Sequence, residues 1–216
     1  PWRERPAFAH IIYAASGLMH LDQGELPAPR SMNLQAADVL AGTHAFGAIL
    51  AALWRRARTG VGARIDVSML EALVAADDVS LAAVLNGGEE MGSPRPGMGV
   101  YEIGGRYLAL QTVGSMDLWP RLLTMMARPE LAHDPRFATA PARRLHWPLL
   151  RDLIGQWLTR FRTVDEALDA LGAARIPCAP VLEPREVVAH PHLLERGAFP
   201  DVPHPTRGSV RVTASP

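Results

Sequence analysis

The chain has 216 residues, with 22 basic and 22 acidic side chains and a formal net charge of zero. Every basic residue is arginine, which excludes a phosphate-loop lysine, a Schiff-base lysine and a pyridoxal phosphate linkage within it. A neutral balance argues against nucleic acid as a partner, and 48% hydrophobic with 20% charged residues argues against a disordered chain.

No uninterrupted apolar run approaches the ~18 residues of a membrane span, so no membrane association is expected. The opening PWRERPAF is not read as a signal peptide. The single cysteine, Cys178, excludes an intrachain disulfide and points to a reducing compartment and a cytoplasmic location.

In chain order, the first strong pattern is residues 36–71. Val39, Phe46, Ile49, Leu50 and Leu53 recur at helical spacing, predicting a helix over about residues 37–58 with one apolar face. Its alanines raise helix propensity and allow a close neighbour. Arg55, Arg56 and Arg58 suit the negative end of the helix dipole, and Thr59-Gly60 stops the helix. Asp38 stands at the opposite end, where unpaired N–H groups stabilise an anion; an aspartate there ordinarily caps the helix. Residues 64–69 alternate like a strand and lead into a second predicted helix, residues 70–85.

Asn86-Gly87-Gly88 and residues 91–99 then read as a flexible boundary. A hairpin is predicted from residues 100–103 and 106–112, turning at Gly104-Gly105. Helices follow near residues 118–126 and 149–161. A third, over residues 164–171, is capped by Thr163 with Glu166 three positions on. Beyond Ala173 the chain turns proline-rich. His190, His192 and His204 are interrupted by prolines and lack a matching ligand set, so no metal is expected.

Together these patterns resemble the class III CoA-transferases, the family of formyl-CoA and carnitine CoA-transferases. The resemblance rests on a D-x-x-x-G-x-H opening (Asp38, Gly42, His44), the Ala51 to Trp54 run with Arg56, Thr59-Gly60-x-Gly62, and Asp66 to Met69. Trp119, Arg128-Pro129-Glu130-Leu131 and Asp134-Pro135-Arg136-Phe137 continue it, as do PAFAHIIYAASG at residues 6–17 and GVYEIGGRY at residues 99–107.

The resemblance implies an α/β fold. Residues 1–90 would end a Rossmann-like CoA-binding domain, 91–182 would form a small α/β domain, and 183–216 a return segment packing on the large domain. It also implies that this stretch is the C-terminal portion of a longer protein, from a bacterial source in keeping with its arginine bias. Asp38 would be the catalytic nucleophile, Met69 a CoA contact, and Gly97 and Gly99 part of a loop that keeps water from the acyl-enzyme. Acyl-CoA and a carboxylic acid would be the substrates, coenzyme A would enter only as part of a substrate with no permanently bound cofactor, and the full-length protein would be a homodimer.

The implied chemistry is covalent. The Asp38 carboxylate attacks an acyl-CoA, forming a mixed anhydride and then an aspartyl-CoA thioester, from which CoA passes to an acceptor acid. The related α-methylacyl-CoA racemases pair the same aspartate with a histidine in a G-H-D-like motif. Here that motif reads Ala7-Phe8-Ala9, with Phe8 at the histidine position, which favours the transferase. Ala9 also departs from formyl-type transferases that carry a carboxylate there. An inactive, shortened family member is the other alternative.

Overall fold

The computed structural model describes residues 5–24, 26–77, 79–89, 95–113 and 117–214. The chain divides into two compact units, Pro1–Arg95 and Pro96–Pro216.

The described part of the first unit is helical: α1 (Ala9–Ala15), α2 (Leu18–Gln23), α3 (Ala36–Thr59), α4 (Met69–Val74) and α5 (Ser80–Leu85). Its small core joins Ala9, Ile12 and Tyr13 of α1 to Ala37 of α3 and Leu73 of α4. The Tyr13 hydroxyl donates to the Asp22 carboxylate and so ties α1 to α2.

The long predicted helix is present as α3, but its packed side differs from the expectation. Ala37, Ala41, Ala45, Ala48 and Ala52 form the less exposed stripe, whereas Val39, Phe46, Ile49, Leu50 and Leu53 are exposed. Small side chains let α4 approach closely, and the bulky ones are left on the other side. This helix is also long and apolar enough, by length and composition, to cross a membrane, although no uninterrupted apolar run reveals it. An amphipathic helix whose apolar face meets another protein surface satisfies the same criterion. Gly60 ends α3 in the left-handed region, φ 71°, its N–H bonded to the Arg56 carbonyl at 2.8 Å.

Two expectations for this unit fail. Residues 61–68 carry no regular structure, and among the described residues of the unit no strand pairs with them. Alternation favours extended backbone, but a strand also needs a neighbour for its N–H and C=O groups. The sheet region expected here is therefore absent among the described residues. The predicted helix 70–85 is broken into α4 and α5 because the Asp77 carboxylate accepts the N–H groups of Val79 and Ser80, both at 3.1 Å, and starts a new helix.

The second unit is mixed. β1 (Met98–Ile103) and β2 (Arg106–Gln111) are followed by α6 (Leu118–Met126), a 3-10 turn (Pro129–Ala132), α7 (Ala140–Leu145), α8 (Trp147–Leu158) and α9 (Val164–Ala173). Then come β3 (Cys178–Pro180), α10 (Pro184–Val188), α11 (Pro191–Glu195) and the hairpin of β4 (Asp201–His204) and β5 (Gly208–Arg211). The sheet order is β1-β2-β3, antiparallel throughout, with Ile103 opposite Arg106 and Leu110 opposite Cys178.

The Gly104-Gly105 turn has φ of 58° and 78°, the left-handed pair that matches strand twist in a two-residue hairpin. Helix α8 begins and ends earlier than the predicted 149–161, since Pro148 favours a first turn. Thr163 caps α9 as expected, its hydroxyl accepting the Glu166 N–H at 3.2 Å. Phe137, Leu108, Leu122, Ile154, Leu158 and Leu171 are fully buried and form the centre of one core joining the helices to the β1–β2–β3 sheet.

Candidate active site

Asp38 occupies the third position of α3, not the cap. The N-cap is Gln35, whose side chain makes no capping bond. Asp38 is exposed, and among the described residues its carboxylate has no hydrogen-bond or ion-pair partner. A first-turn acid still gains from the positive end of the helix dipole. Its position is set by the preceding residue: Ala37 is 1% exposed and packs in the α1–α3–α4 core. The backbone is thereby held while the next side chain remains at the surface.

Met69 opens α4, where the Ser68 hydroxyl caps the helix by accepting the Glu71 N–H at 3.3 Å. Met69 packs partly against the same core as Ala37. On its other side it lines an open cavity of about 660 Å³ together with Pro6, Ala7, Ile11, Ile12 and Leu70. That volume suits a small ligand, and the apolar wall is punctuated by Ser68 and Arg5. Asp38 does not line the cavity; Ile12 and Met69, which do, belong to the same core as its neighbour Ala37. The α1 contribution to the cavity wall has no separate signal in the sequence beyond the short apolar pair Ile11-Ile12. Phe8, at the histidine position of the racemase motif, is 75% exposed and stands outside the lining.

Gly97 and Gly99 belong to the second unit. Gly97 lies in the turn before β1 with φ 89°, and a Cβ there would come within 2.2 Å of the Val113 side chain. Gly99 is a strand residue, part of β1, not of a loop. A Cβ on it would meet the Tyr101 ring and hydroxyl at 2.6 Å. Local packing thus requires glycine at both places.

Among the described residues no group of three or more His, Cys, Asp and Glu side chains could hold a metal. Burial pushes the half-buried Cys178 thiol above its ordinary pKa, away from the reactive thiolate form.

Comparison with known proteins places these features in context. A family profile described as CoA-transferase family III matches residues 1–216. The chain is 31% identical to the formyl-CoA:oxalate CoA-transferase of Streptomyces avermitilis, over 100% of this chain and 58% of that protein. It is 27% identical to the succinyl-CoA–D-citramalate CoA-transferase of Chloroflexus aurantiacus, over 98% of this chain and 54% of the relative. The crystal structure of the hypothetical protein Rv3272 from Mycobacterium tuberculosis shares the fold, with a TM-score of 0.84 at 23% identity, covering all of this chain and 57% of that one. The chain spans little more than half the length of the curated relatives it matches.

Proposed function

The chain belongs to CoA-transferase family III, and we propose that it carries the nucleophile of an enzyme moving CoA from an acyl-CoA thioester to a carboxylic acid. Asp38 is that nucleophile. The observation that carries this reading is its placement: in the first turn of α3, exposed, and not spent on capping.

In the proposed cycle, one Asp38 oxygen attacks the thioester carbonyl and the C–S bond breaks, leaving a mixed anhydride and CoA thiolate. The thiolate attacks the aspartyl carbonyl, the donor carboxylate leaves, and Asp38 holds CoA as a thioester. An acceptor carboxylate attacks that thioester, releasing the thiolate and forming a second anhydride. The thiolate then attacks the acceptor's acyl carbon, which yields the new acyl-CoA and restores Asp38. No net proton transfer is needed, so a neighbouring base is not required. The N-terminus of α3 stabilises the carboxylate and the oxyanions formed beside it.

The cavity beside Met69 supports a role for this methionine in holding part of the thioester substrate. The turn at Gly97 and the start of β1 at Gly99 are assigned the task of excluding water from the acyl-enzyme, since hydrolysis would waste the activated acid. The protein is taken to act in the cytoplasm as a homodimer, consistent with the exposed apolar face of α3. Exposure of Phe8 and the absence of a histidine from its position favour transfer over racemisation.

The deciding experiment is intact-mass analysis of the intact protein mixed with a panel of acyl-CoAs, followed by peptide mapping. A covalent adduct on the peptide containing Asp38, absent in Asp38→Ala, is the expected result. Exchange of the substrate α-proton with solvent and no adduct would replace this reading with the racemase.

A further inference from the structure

Asp77 lies in the break between α4 and α5, and its side chain is only 3% exposed. A single oxygen, Oδ1, accepts three donors. Two are the N–H groups of Val79 and Ser80, which start α5; the third is Nη2 of Arg95, at 3.0 Å. Arg95 stands 18 residues further along and is the last residue of the first unit. Only Pro96 and Gly97 separate it from β1.

We propose that the Asp77–Arg95 contact is an anchor fixing where the chain leaves the first unit, with Arg95 as its positioning residue. Three observations combine in this. The acid is buried and already oriented by two backbone amides, so the arginine meets a preformed site, not a mobile surface partner. A charge-assisted bond of this kind is worth more than an exposed ion pair, in which both side chains must be ordered at once.

The pair also closes a loop containing all of α5. Closing such a loop costs chain entropy, which returns to the chain once the bond is broken. Finally, the described residues of the linker make few other bonds. Asn86, Gly87 and Gly88 bond only back to residues 82–84 of α5. Gly87, with φ 79°, contributes a turn without side-chain packing. Among the described residues of this connection, Arg95 alone reaches back to the body of the first unit. The contact is independent of whichever reaction the chain serves.

Limited proteolysis of the intact protein with a glutamate-specific protease tests it, because Glu89 is exposed and lies inside the closed loop. Arg95→Gln is expected to speed cleavage after Glu89 by about tenfold, a larger acceleration than at any other glutamate of the chain. Arg95→Lys, which retains the charge, should fall between the two. An unchanged rate in Arg95→Gln would overturn the anchor. So would equal acceleration at glutamates throughout both units, which would mean general destabilisation.

Discussion

Ala37 and Asp38 are adjacent in the first turn of α3 and lie on opposite sides of the protein boundary: one packs at 1% exposure against α1 and α4, and the other faces solvent. The buried alanine fixes the backbone from which the acid projects. On the proposed function, reactivity would rest with Asp38 and stability with Ala37, and mutation can separate the two.

Asp38→Asn should abolish transfer while sparing the fold. The expected loss of activity in the intact protein is at least about a thousandfold, as for removal of a covalent nucleophile. The change in stability should stay within about 0.5 kcal/mol, because an exposed first-turn acid contributes only through the helix dipole. Thermal unfolding alongside a transfer assay checks both. An equal collapse of the two would make Asp38 a structural residue.

Ala37→Leu should show the reverse pattern. The added volume has no space in the α1–α3–α4 core, and overpacking of this kind costs about 1–3 kcal/mol. Chemical denaturation measures it directly.

How far the sequence reveals this site differs from element to element. The α3 boundaries follow from a helical period closed by Gly60, and the β1–β2 hairpin follows from two adjacent glycines between alternating runs. Both depend on local dihedral and pairing rules that neighbouring residues carry themselves. The strand expected at residues 64–69 depends on a partner elsewhere, which local alternation cannot supply. The break at Asp77 turns on one side chain taking two amides, a competition that apolar periodicity does not register. The apolar stripe of α3 is visible in the sequence, but which side packs is decided by how closely α4 can approach the alanines. For Asp38, local residue type and position suggest only a helix cap and the family resemblance marks the candidate; its place inside the first turn, past the cap at Gln35, is seen only in the fold.

In the second unit, Gly99→Ala should destabilise by about 1–3 kcal/mol, because the new methyl meets the Tyr101 ring at 2.6 Å. Tyr101→Phe should act in the opposite sense. Its hydroxyl is buried with no partner among the described residues, so its removal should stabilise by about 1 kcal/mol. Urea unfolding of the two single variants tests this pair, and a destabilised Tyr101→Phe would reveal a partner for the hydroxyl.

Acid should weaken the first unit through Asp77. Burial alone raises its pKa, but the hydrogen bonds from Ser80 and Val79 and the charge of Arg95 outweigh that effect, and the net shift is downward. The folded state thus binds its proton less readily than the unfolded chain. Its stabilising contribution is complete above the unfolded value of about 3.9 and disappears as pH falls through the lower folded value. Asp77→Asn should flatten that part of the stability profile, which denaturation curves between neutral pH and strong acid would record.

Helix α3 turns its smallest side chains toward the fold and its largest toward water. The free energy of keeping such a face wet grows with its area and falls whenever two such faces meet. If the proposed homodimer meets through this face, concentration becomes a structural variable, as temperature or pH is for other chains. Dilution and crowding act on the same row of residues, Phe46, Ile49, Leu50 and Leu53, that a composition table would have counted as interior.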